Sequence, residues 1–319
     1  MRADRAFGLV LGLALLSSAI LGGLLATIVP HASHVLAYGP DDLVDVVMLL
    51  LLVLATCGIA LGLGSLFRQL LTTMALIRSL VSRRVTTPRR VRALARELGL
   101  VERIDVVADG RPFSFCYWFR RPRICVSTAL VRRLTVDELR AVLIHERYHL
   151  VHRDPLRLVI ARYFAAGLYV VPVVDELTSF YALQKEIAAD DEAVRRLGVA
   201  PLARALYKLL PDAPDRDFGL LMPVTGLSVT EARIDRLLVG AELPLRLTPA
   251  AVVLSIGALS GAAVLATVGA GTSLTFASLP PLLAIPGLLV GPASLLFAAA
   301  VNGGAHQVRL VAGFVRGRN

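Results

Sequence analysis

The sequence predicts a mainly α-helical, α+β membrane protein with several spans and one compact domain that contains a small sheet. Three observations support this fold class. Hydrophobic residues make up 56% of the 319 residues and the mean hydropathy is +0.68, which is high for a soluble protein. Four apolar runs are each long enough to cross a hydrocarbon core of about 30 Å. The stretch between the second and third runs instead alternates short strand-like and amphipathic helical segments.

The four apolar runs divide the chain into segments. They cover about residues 8–29, 43–67, 250–270 and 279–301. The first run is longer than the apolar core of about 7–15 residues in a signal peptide, so we predict an uncleaved anchor. The sequence therefore predicts two N-terminal spans, a central domain, two C-terminal spans and a basic tail, over residues 1–67, 68–242, 249–302 and 303–319.

The distribution of positive charge predicts the orientation in the membrane. The net charge is +10, and a cluster of arginines follows the second run: Arg68, Arg78, Arg83, Arg84, Arg89, Arg90, Arg92 and Arg96. The segments 31–42 and 271–278 contain no lysine or arginine. The positive-inside rule then predicts a multi-pass plasma-membrane protein with both termini and the central domain in the cytoplasm. Because the basic cluster adjoins a span, we interpret it as facing the lipid surface and expect no direct nucleic-acid binding.

Local signals predict the elements of the central domain. Residues 91–99 are predicted to form a helix ended by Gly99. Thr135 and Glu138 form a capping box at the start of an amphipathic helix that Pro155 terminates. Another helix is expected to end near Gly198, and residues 228–231 form a second capping box. Three strands separated by turns are predicted over residues 103–108, 113–118 and 123–127.

The most informative stretch is His145-Glu146-Arg147-Tyr148-His149. Residues four apart share one face of a helix, so the rings of His145 and His149 can close on one metal ion. Glu146 can lie beside that metal without binding it and take a proton from a water molecule. The alternative is a helix with two incidental histidines.

A catalytic zinc also needs a third protein ligand and an open position for water. Glu186 and Asp190 are four residues apart and would share a helix face. This is the ExxxD pattern of the gluzincin zinc peptidases, which implies that Glu186 is the third ligand and that Asp190 supports a ligating histidine. The alternative is a solvated acidic helix face.

A fifth apolar run, residues 156–174, contains Arg157 and Arg162. If it crossed the membrane once, Glu186 would lie on the opposite side from His145 and could not share its metal ion. We therefore predict a buried or re-entrant apolar helix. A two-helix excursion is disfavoured, because only about a dozen residues separate the run from Glu186.

Together these residues resemble the BlaR/MecR type of membrane zinc peptidase, metallopeptidase family 56, over roughly residues 83–238. The resemblance rests on the motif 145–149 with Asp154, Glu186 and Asp190, on the strands around 113–118 and 122–127, and on residues 231–234. HtpX-type peptidases, family 48, share this core but usually place longer membrane excursions before the third ligand. The resemblance implies a gluzincin-like metallopeptidase domain, with a small sheet beside the motif helix and its site in the cytosol.

The best-known members of that family cleave a transcriptional repressor when an outer domain senses an antibiotic. No segment after the last predicted span of this sequence resembles a penicillin-sensing domain, so we do not expect direct antibiotic sensing. The first hypothesis is a Zn²⁺-dependent endopeptidase that cleaves a regulator such as a helix-turn-helix repressor. The alternatives are an HtpX-type membrane protein quality-control protease and a non-catalytic membrane scaffold.

Further residues are candidates for contact with a protein or peptide substrate. Arg233 or Tyr148 could stabilise the oxyanion. Phe113, Ser114 and Phe115 lie on a predicted strand that could pair with an extended substrate. The lipid bilayer is the other expected partner, and a homodimer is left open. Two cysteines, Cys116 and Cys125, could face each other on adjacent strands, although a reducing cytoplasm argues against a disulfide.

Overall fold

A computed structural model describes residues 3–39, 43–118, 121–209, 233, 236, 245 and 247–269. The predicted span 279–301, the basic tail 303–319 and the capping box 228–231 lie outside these residues. The described chain is mainly helical with a small mixed sheet, as predicted. It divides into two compact units. We call them the sheet unit (residues 1–6, 67–160 and 180–245) and the apolar unit (residues 7–66, 161–179 and 246–319).

Three long helices account for much of the apolar unit: α1 (Ala3–Tyr38), α2 (Leu43–Ser82) and α9 (Pro249–Gly269). Among the described residues, two helices are long and apolar enough to cross a membrane, at Ala3–Ala26 and Asp45–Ser82. The segment 31–42 between the first two apolar runs is helical for most of its length, because α1 continues to Tyr38. Gly39 ends it with φ 91° and donates its N–H to the carbonyl of Val35. Helix α2 likewise continues beyond residue 67, since no glycine or proline interrupts residues 68–82.

The single apolar helix predicted over residues 156–174 is wrong. The chain forms α6 (Asp154–Gly167), a short turn, and α7 (Pro172–Leu197). Proline cannot continue a preceding helix, because it lacks the N–H donor, but it is favoured at the start of a new one. Helix α7 runs without a break from Pro172 through Glu186. The dozen or so residues between the apolar run and Glu186 are therefore themselves helical. The predicted apolar run is therefore divided between two helices, and residues 161–179 belong to the apolar unit.

The sheet has the order β1-β2-β4-β3. Strand β1 (Arg84–Val85) is antiparallel to β2 (Ile104–Val107), β2 is parallel to β4 (Arg123–Ser127), and β4 is antiparallel to β3 (Ser114–Tyr117). The three predicted strands are confirmed. Strand β1 was not predicted, because it is too short to show the alternation of apolar and polar residues that identifies a strand in a sequence. In the described sheet β3 is an edge strand.

The register of β3 against β4 separates the two cysteines of the sheet. Phe115 pairs with Cys125, and Cys116 pairs with Ile124. Side chains alternate between the two faces of a sheet, so an offset of one residue points the two thiols to opposite faces. The prediction that Cys116 and Cys125 face each other is therefore wrong, and both thiols are free.

Helices α3 (Arg89–Glu97), α4 (Thr128–Arg133), α5 (Val136–His152) and α8 (Val199–Leu209) supply the core of the sheet unit. The predicted glycine stop after α3 is confirmed, with Gly99 at φ 66°. The predicted capping box is confirmed too: Glu138 accepts from the backbone N–H of Thr135, and the Thr135 hydroxyl accepts from that of Glu138. Arg153, in the left-handed conformation, ends α5 and directs the chain into α6. The capping box fixes where α5 begins, and with it the register of the motif.

Candidate metal centre

Helix α5 buries three polar side chains of the motif on the face that it turns inward. His145, Glu146 and His149 are each less than a tenth exposed. The Nε2 atoms of the two histidines are 3.1 Å apart, and their ring centroids are 4.8 Å apart. Two imidazole nitrogens from adjacent turns therefore converge on one point.

Helix α7 brings a carboxylate to the same point. The Glu186 Oε2 atom lies 3.5 Å from Nε2 of His145, and its Oε1 atom lies 3.5 Å from Nε2 of His149. One ligand atom from each of the three residues lies within 4.8 Å of the others. Two imidazoles and one carboxylate are the protein donor set of many catalytic zinc sites, in which a fourth position stays open. The residues present thus fit a metal ion of this kind.

The outer nitrogens of both rings are held by carboxylates. Nδ1 of His145 lies 2.9 Å from Oδ1 of Asp190, and Nδ1 of His149 lies 2.9 Å from Oδ2 of Asp154. A carboxylate that accepts from Nδ1 leaves the Nε2 lone pair free for a metal. Asp190 was predicted in this position, but Asp154 was assigned no role. Asp154 is part of the pattern that carries the family resemblance, but it follows the left-handed Arg153, so the helical period does not predict its contact with His149.

The charges around these residues favour a cation between them. Burial opposes ionisation of Glu186, but electrostatic attraction by the neighbouring His149 and Arg233 side chains holds its pKa below the usual value. Burial alone would lower the pKa of His145, yet its bonds to Asp190 and Glu186 raise it to about 10. The carboxylates of Asp190 and Glu186 thus attract positive charge to this position, and either a proton on His145 or a metal ion can supply it.

Arg233 lies beside the acidic residues of α7. Its Nε and Nη2 atoms donate to Asp190 at 2.8 and 2.7 Å, and Nη1 lies 3.1 Å from Oε2 of Glu186. Burial opposes its charge, but the carboxylates of Asp190 and Glu186 raise its pKa above the usual value. Three of its nitrogens thus face carboxylates, which makes Arg233 a clamp on Glu186 and Asp190 in this structure.

Tyr148 and His152 pack against each other at the end of α5. Their ring centroids are 3.9 Å apart, and Nδ1 of His152 donates to the Tyr148 carbonyl at 2.8 Å. His152 is therefore a packing residue against Tyr148. Burial and the charge of Asp154 raise the pKa of Tyr148 to about 12, so its hydroxyl stays protonated. Its ring lies edge-on to that of His149, with centroids 6.1 Å apart.

Of the three residues predicted to contact a substrate on or next to β3, one side chain points towards the site and two point away from it. The hydroxyl of Ser114 donates to Oε1 of Glu146 at 2.8 Å. Phe113 and Phe115 stack on each other, with centroids 5.6 Å apart, in a cluster with Leu80 on the opposite face of the strand. The structure thus places the side chain of Ser114 against the motif, and not those of the two phenylalanines.

Lys185 is a buried residue of this site that the sequence analysis did not identify. Its side chain is 1% exposed, and Nζ lies 3.1 Å from Oδ1 of Asp154. A lysine next to Glu186 in the sequence is indistinguishable from a surface lysine until the packing of α7 is known.

Comparison with known families agrees with this geometry. Residues 26–207, more than half of the chain, match the family model described as BlaR1 peptidase M56. The matched segment contains the whole candidate metal centre except Arg233, and the predicted resemblance is confirmed. M56 proteins are metallopeptidases, so a protein substrate is implied, and the two long apolar helices agree with a place in a membrane. This chain is a member of the M56 peptidase family and hence a membrane-associated metallopeptidase.

Proposed function

We propose that this chain is a multi-pass, zinc-dependent endopeptidase that uses a cytosolic site to cleave a membrane-proximal regulator. His145, His149 and Glu186 would hold the zinc ion, and Glu146 would act as the general base. One observation carries this proposal: the ligand atoms of the three residues converge, while both outer imidazole nitrogens rest on carboxylates. This is the arrangement that a histidine needs in order to present Nε2 to a metal.

The residues divide the chemistry between them. When bound, zinc polarises the scissile carbonyl and lowers the pKa of water towards about 7. Glu146, held by the Ser114 hydroxyl, accepts the proton of the attacking water and passes it to the leaving amine. Asp190 and Asp154 keep both imidazoles in one tautomer and one orientation. Arg233 holds Glu186 and Asp190, so we assign it a positioning role in place of oxyanion binding.

The position of β3 at the edge of the sheet supports the proposal that the substrate binds in an extended conformation. An edge strand carries backbone N–H and C=O groups that can pair with another chain. Because Ser114 on this strand touches Glu146, a substrate strand added there would pass close to the base. Only a flexible loop or a locally unfolded segment can add in this way. A transcriptional repressor fits this requirement, and the M56 family membership favours it over a quality-control substrate.

The charge distribution supports a cytosolic site. The arginine cluster that begins at Arg68 lies in and after the second half of α2, while residues 31–42 are free of lysine and arginine. In intact cells, a cysteine engineered at Gly110 should escape a membrane-impermeant thiol reagent, and one at Ser33 should react. Because the native cysteines could also react with the reagent, both variants are made in a protein in which all three native cysteines are replaced by alanine. Labelling of Gly110→Cys from outside would overturn the proposed orientation.

The activity itself is tested by comparing cells that contain the wild-type protein with cells that contain Glu146→Gln. New protein N-termini that appear only with the wild-type protein identify its substrates and cleavage sites. The Glu192→Gln protein is a matched control, because Glu192 lies on α7 and pairs only with nearby arginines in the described structure. Identical sets of N-termini in all three cultures, together with no zinc in the purified wild-type protein, would overturn the proposal.

A further inference from the structure

Lys185 is a buried charge that the proposed chemistry does not use. It precedes Glu186 on α7, and successive residues of a helix point about 100° apart, so the two side chains face different neighbours. Glu186 faces the histidines, whereas Lys185 faces Asp154, which is 1% exposed. Lysine is almost never fully buried unless it is paired. The contact of 3.1 Å between Nζ and Oδ1 of Asp154 provides that pairing.

Asp154 is shared between this lysine and a proposed metal ligand. Its Oδ1 atom faces Lys185, and its Oδ2 atom lies 2.9 Å from Nδ1 of His149. A carboxylate held at both oxygens has a defined plane, and the imidazole that bonds to it has a defined orientation. The position of Lys185 therefore influences how well His149 can present Nε2.

The outer end of this series of contacts lies in the first turn of α1. Oδ1 of Asp4 lies 3.4 Å from Nζ of Lys185 and accepts from Nη1 of Arg157 at 2.7 Å. The side chain of Asp4 is 66% exposed, so another molecule can reach it. Lys185 cannot be reached, and its Nζ also lies 5.5 and 5.8 Å from the ring centroids of Tyr148 and Tyr181. All of these residues belong to the sheet unit.

We propose that Asp4 and Lys185 are positioning residues that link the N-terminal end of α1, through Asp154, to the metal ligand His149. While Asp4 is in place, Lys185 divides its charge between two carboxylates. When Asp4 is displaced, Lys185 draws Asp154 more strongly, and the hydrogen bond that Nδ1 of His149 donates to Asp154 weakens. A partner that pulls on the first turn of α1 thereby lowers the affinity for zinc. This inference rests on the proposed function, because it takes His149 to be a ligand.

The test is the dissociation constant of zinc, measured by chelator competition on the full-length protein in lipid nanodiscs. Residues bonded directly to a metal ligand typically change metal affinity about 10–100-fold. Lys185 lies one contact further out, so we expect Lys185→Met, which leaves one oxygen of the buried Asp154 unpaired and its plane undefined, to weaken zinc binding by up to about 10-fold. Asp4→Asn should weaken zinc binding by about 2–5-fold, as expected for an exposed ion pair. In the Lys185→Met background, Asp4→Asn should have no further effect, because the link is already absent. Asp137→Asn, an exposed carboxylate on α5 that pairs with Arg140, is the control and should bind zinc like the wild type.

The possible outcomes separate this inference from the proposed function. A wild-type protein that binds no zinc overturns both. Normal zinc binding by the wild type and by Asp4→Asn overturns the inference alone, and so does an equal effect of Asp4→Asn in both backgrounds. If Lys185→Met does not fold, the inference is tested by comparing the zinc affinity of Asp4→Asn with that of the wild type. Asp4 is exposed, so its substitution should not prevent folding.

Discussion

At the candidate metal centre the sheet unit buries charged side chains in pairs, whereas at the α6–α7 turn the apolar unit buries glycines against one another. Asp154 and Lys185 are each 1% exposed and lie 3.1 Å apart. In the apolar unit, a Cβ atom added to Gly58 would lie 2.6 Å from the carbonyl oxygen of Gly167. One region therefore depends on charge and the other on the absence of side-chain volume.

This difference follows from what each region must do. A metal site needs ionised groups in fixed positions, and a buried charge is tolerated only when it is paired and hydrogen-bonded. Helices in a membrane gain little from the hydrophobic effect, so they associate through close backbone packing at small residues. Substitutions that keep volume but remove charge should therefore damage the sheet unit, and substitutions that add volume should damage the apolar unit.

The largest effect is expected at the ligands. Glu186→Ala should abolish zinc binding, since it removes one of the three proposed protein ligands. Glu146→Gln should retain zinc but lower the rate of hydrolysis by about 10²–10⁴-fold or more. Zinc content by mass spectrometry and cleavage of an identified substrate measure the two effects. Full zinc content in Glu186→Ala would show that another residue is the third ligand.

The next effect concerns a buried carboxylate of the sheet. Asp105 is 5% exposed and accepts bonds from Tyr117 and Arg123. Hydrogen bonds to charged groups contribute about 1.5–3 kcal/mol, so Asp105→Asn should lower the free energy of unfolding by that amount at pH 7. The single tryptophan, Trp118, follows β3 and reports unfolding of this unit by fluorescence.

The pH dependence of this effect has a definite sign. Burial raises the pKa of Asp105, but the bonds from Arg123 and Tyr117 outweigh burial and lower it from 3.8. A lowered folded-state pKa gives stability that is present above the unfolded-state pKa and is lost as the pH falls through the folded-state pKa. The difference in stability between wild type and Asp105→Asn should therefore shrink as the pH falls from 6 to about 3. A difference that stays constant over this range would contradict the ionic role of Asp105.

A smaller effect is expected at Ser114. Removing its hydroxyl leaves Glu146 without the bond from β3, and we expect Ser114→Ala to lower the cleavage rate about 10-fold, or 1.4 kcal/mol. Ser114→Thr retains a hydroxyl and is the matched control. Zinc content should be the same in both variants, because neither residue is a ligand. Unchanged rates in Ser114→Ala would remove Ser114 from the site.

The smallest effect belongs to the apolar unit. Gly58→Ala places a methyl group 2.6 Å from a backbone oxygen, and such overpacking costs about 1 kcal/mol or more. Gly64→Ala, on the same helix, has no atom within 4 Å of the new Cβ atom and should be neutral or slightly stabilising. Thermal unfolding followed by circular dichroism compares the two. Equal melting temperatures for the two variants would show that the contact with Gly167 is not tight.

Much of the local structure could be predicted from the sequence, because it depends on neighbouring residues. The capping box at Thr135, the glycine stop at Gly99 and the three longer strands are set by short-range sterics and hydrogen bonding. The shared helix faces of His145 with His149, and of Glu186 with Asp190, follow from the helical period alone. These pairs identify the candidate donor set before any contact between α5 and α7 is known.

Only the tertiary structure decided which groups meet across the elements. Within the sheet unit, the second half of α7 packs against α5, which brings Lys185 to Asp154, and Arg233 lies against Glu186. The bond from Ser114 to Glu146 likewise depends on how β3 packs against α5. A period of 3.6 residues determines which side chains share a helix face, but the partner of that face depends on loop closure between residues far apart in the chain. The sequence by itself therefore determined the candidate ligands, and the packing of α5, α7 and β3 decided which side chains hold them in place.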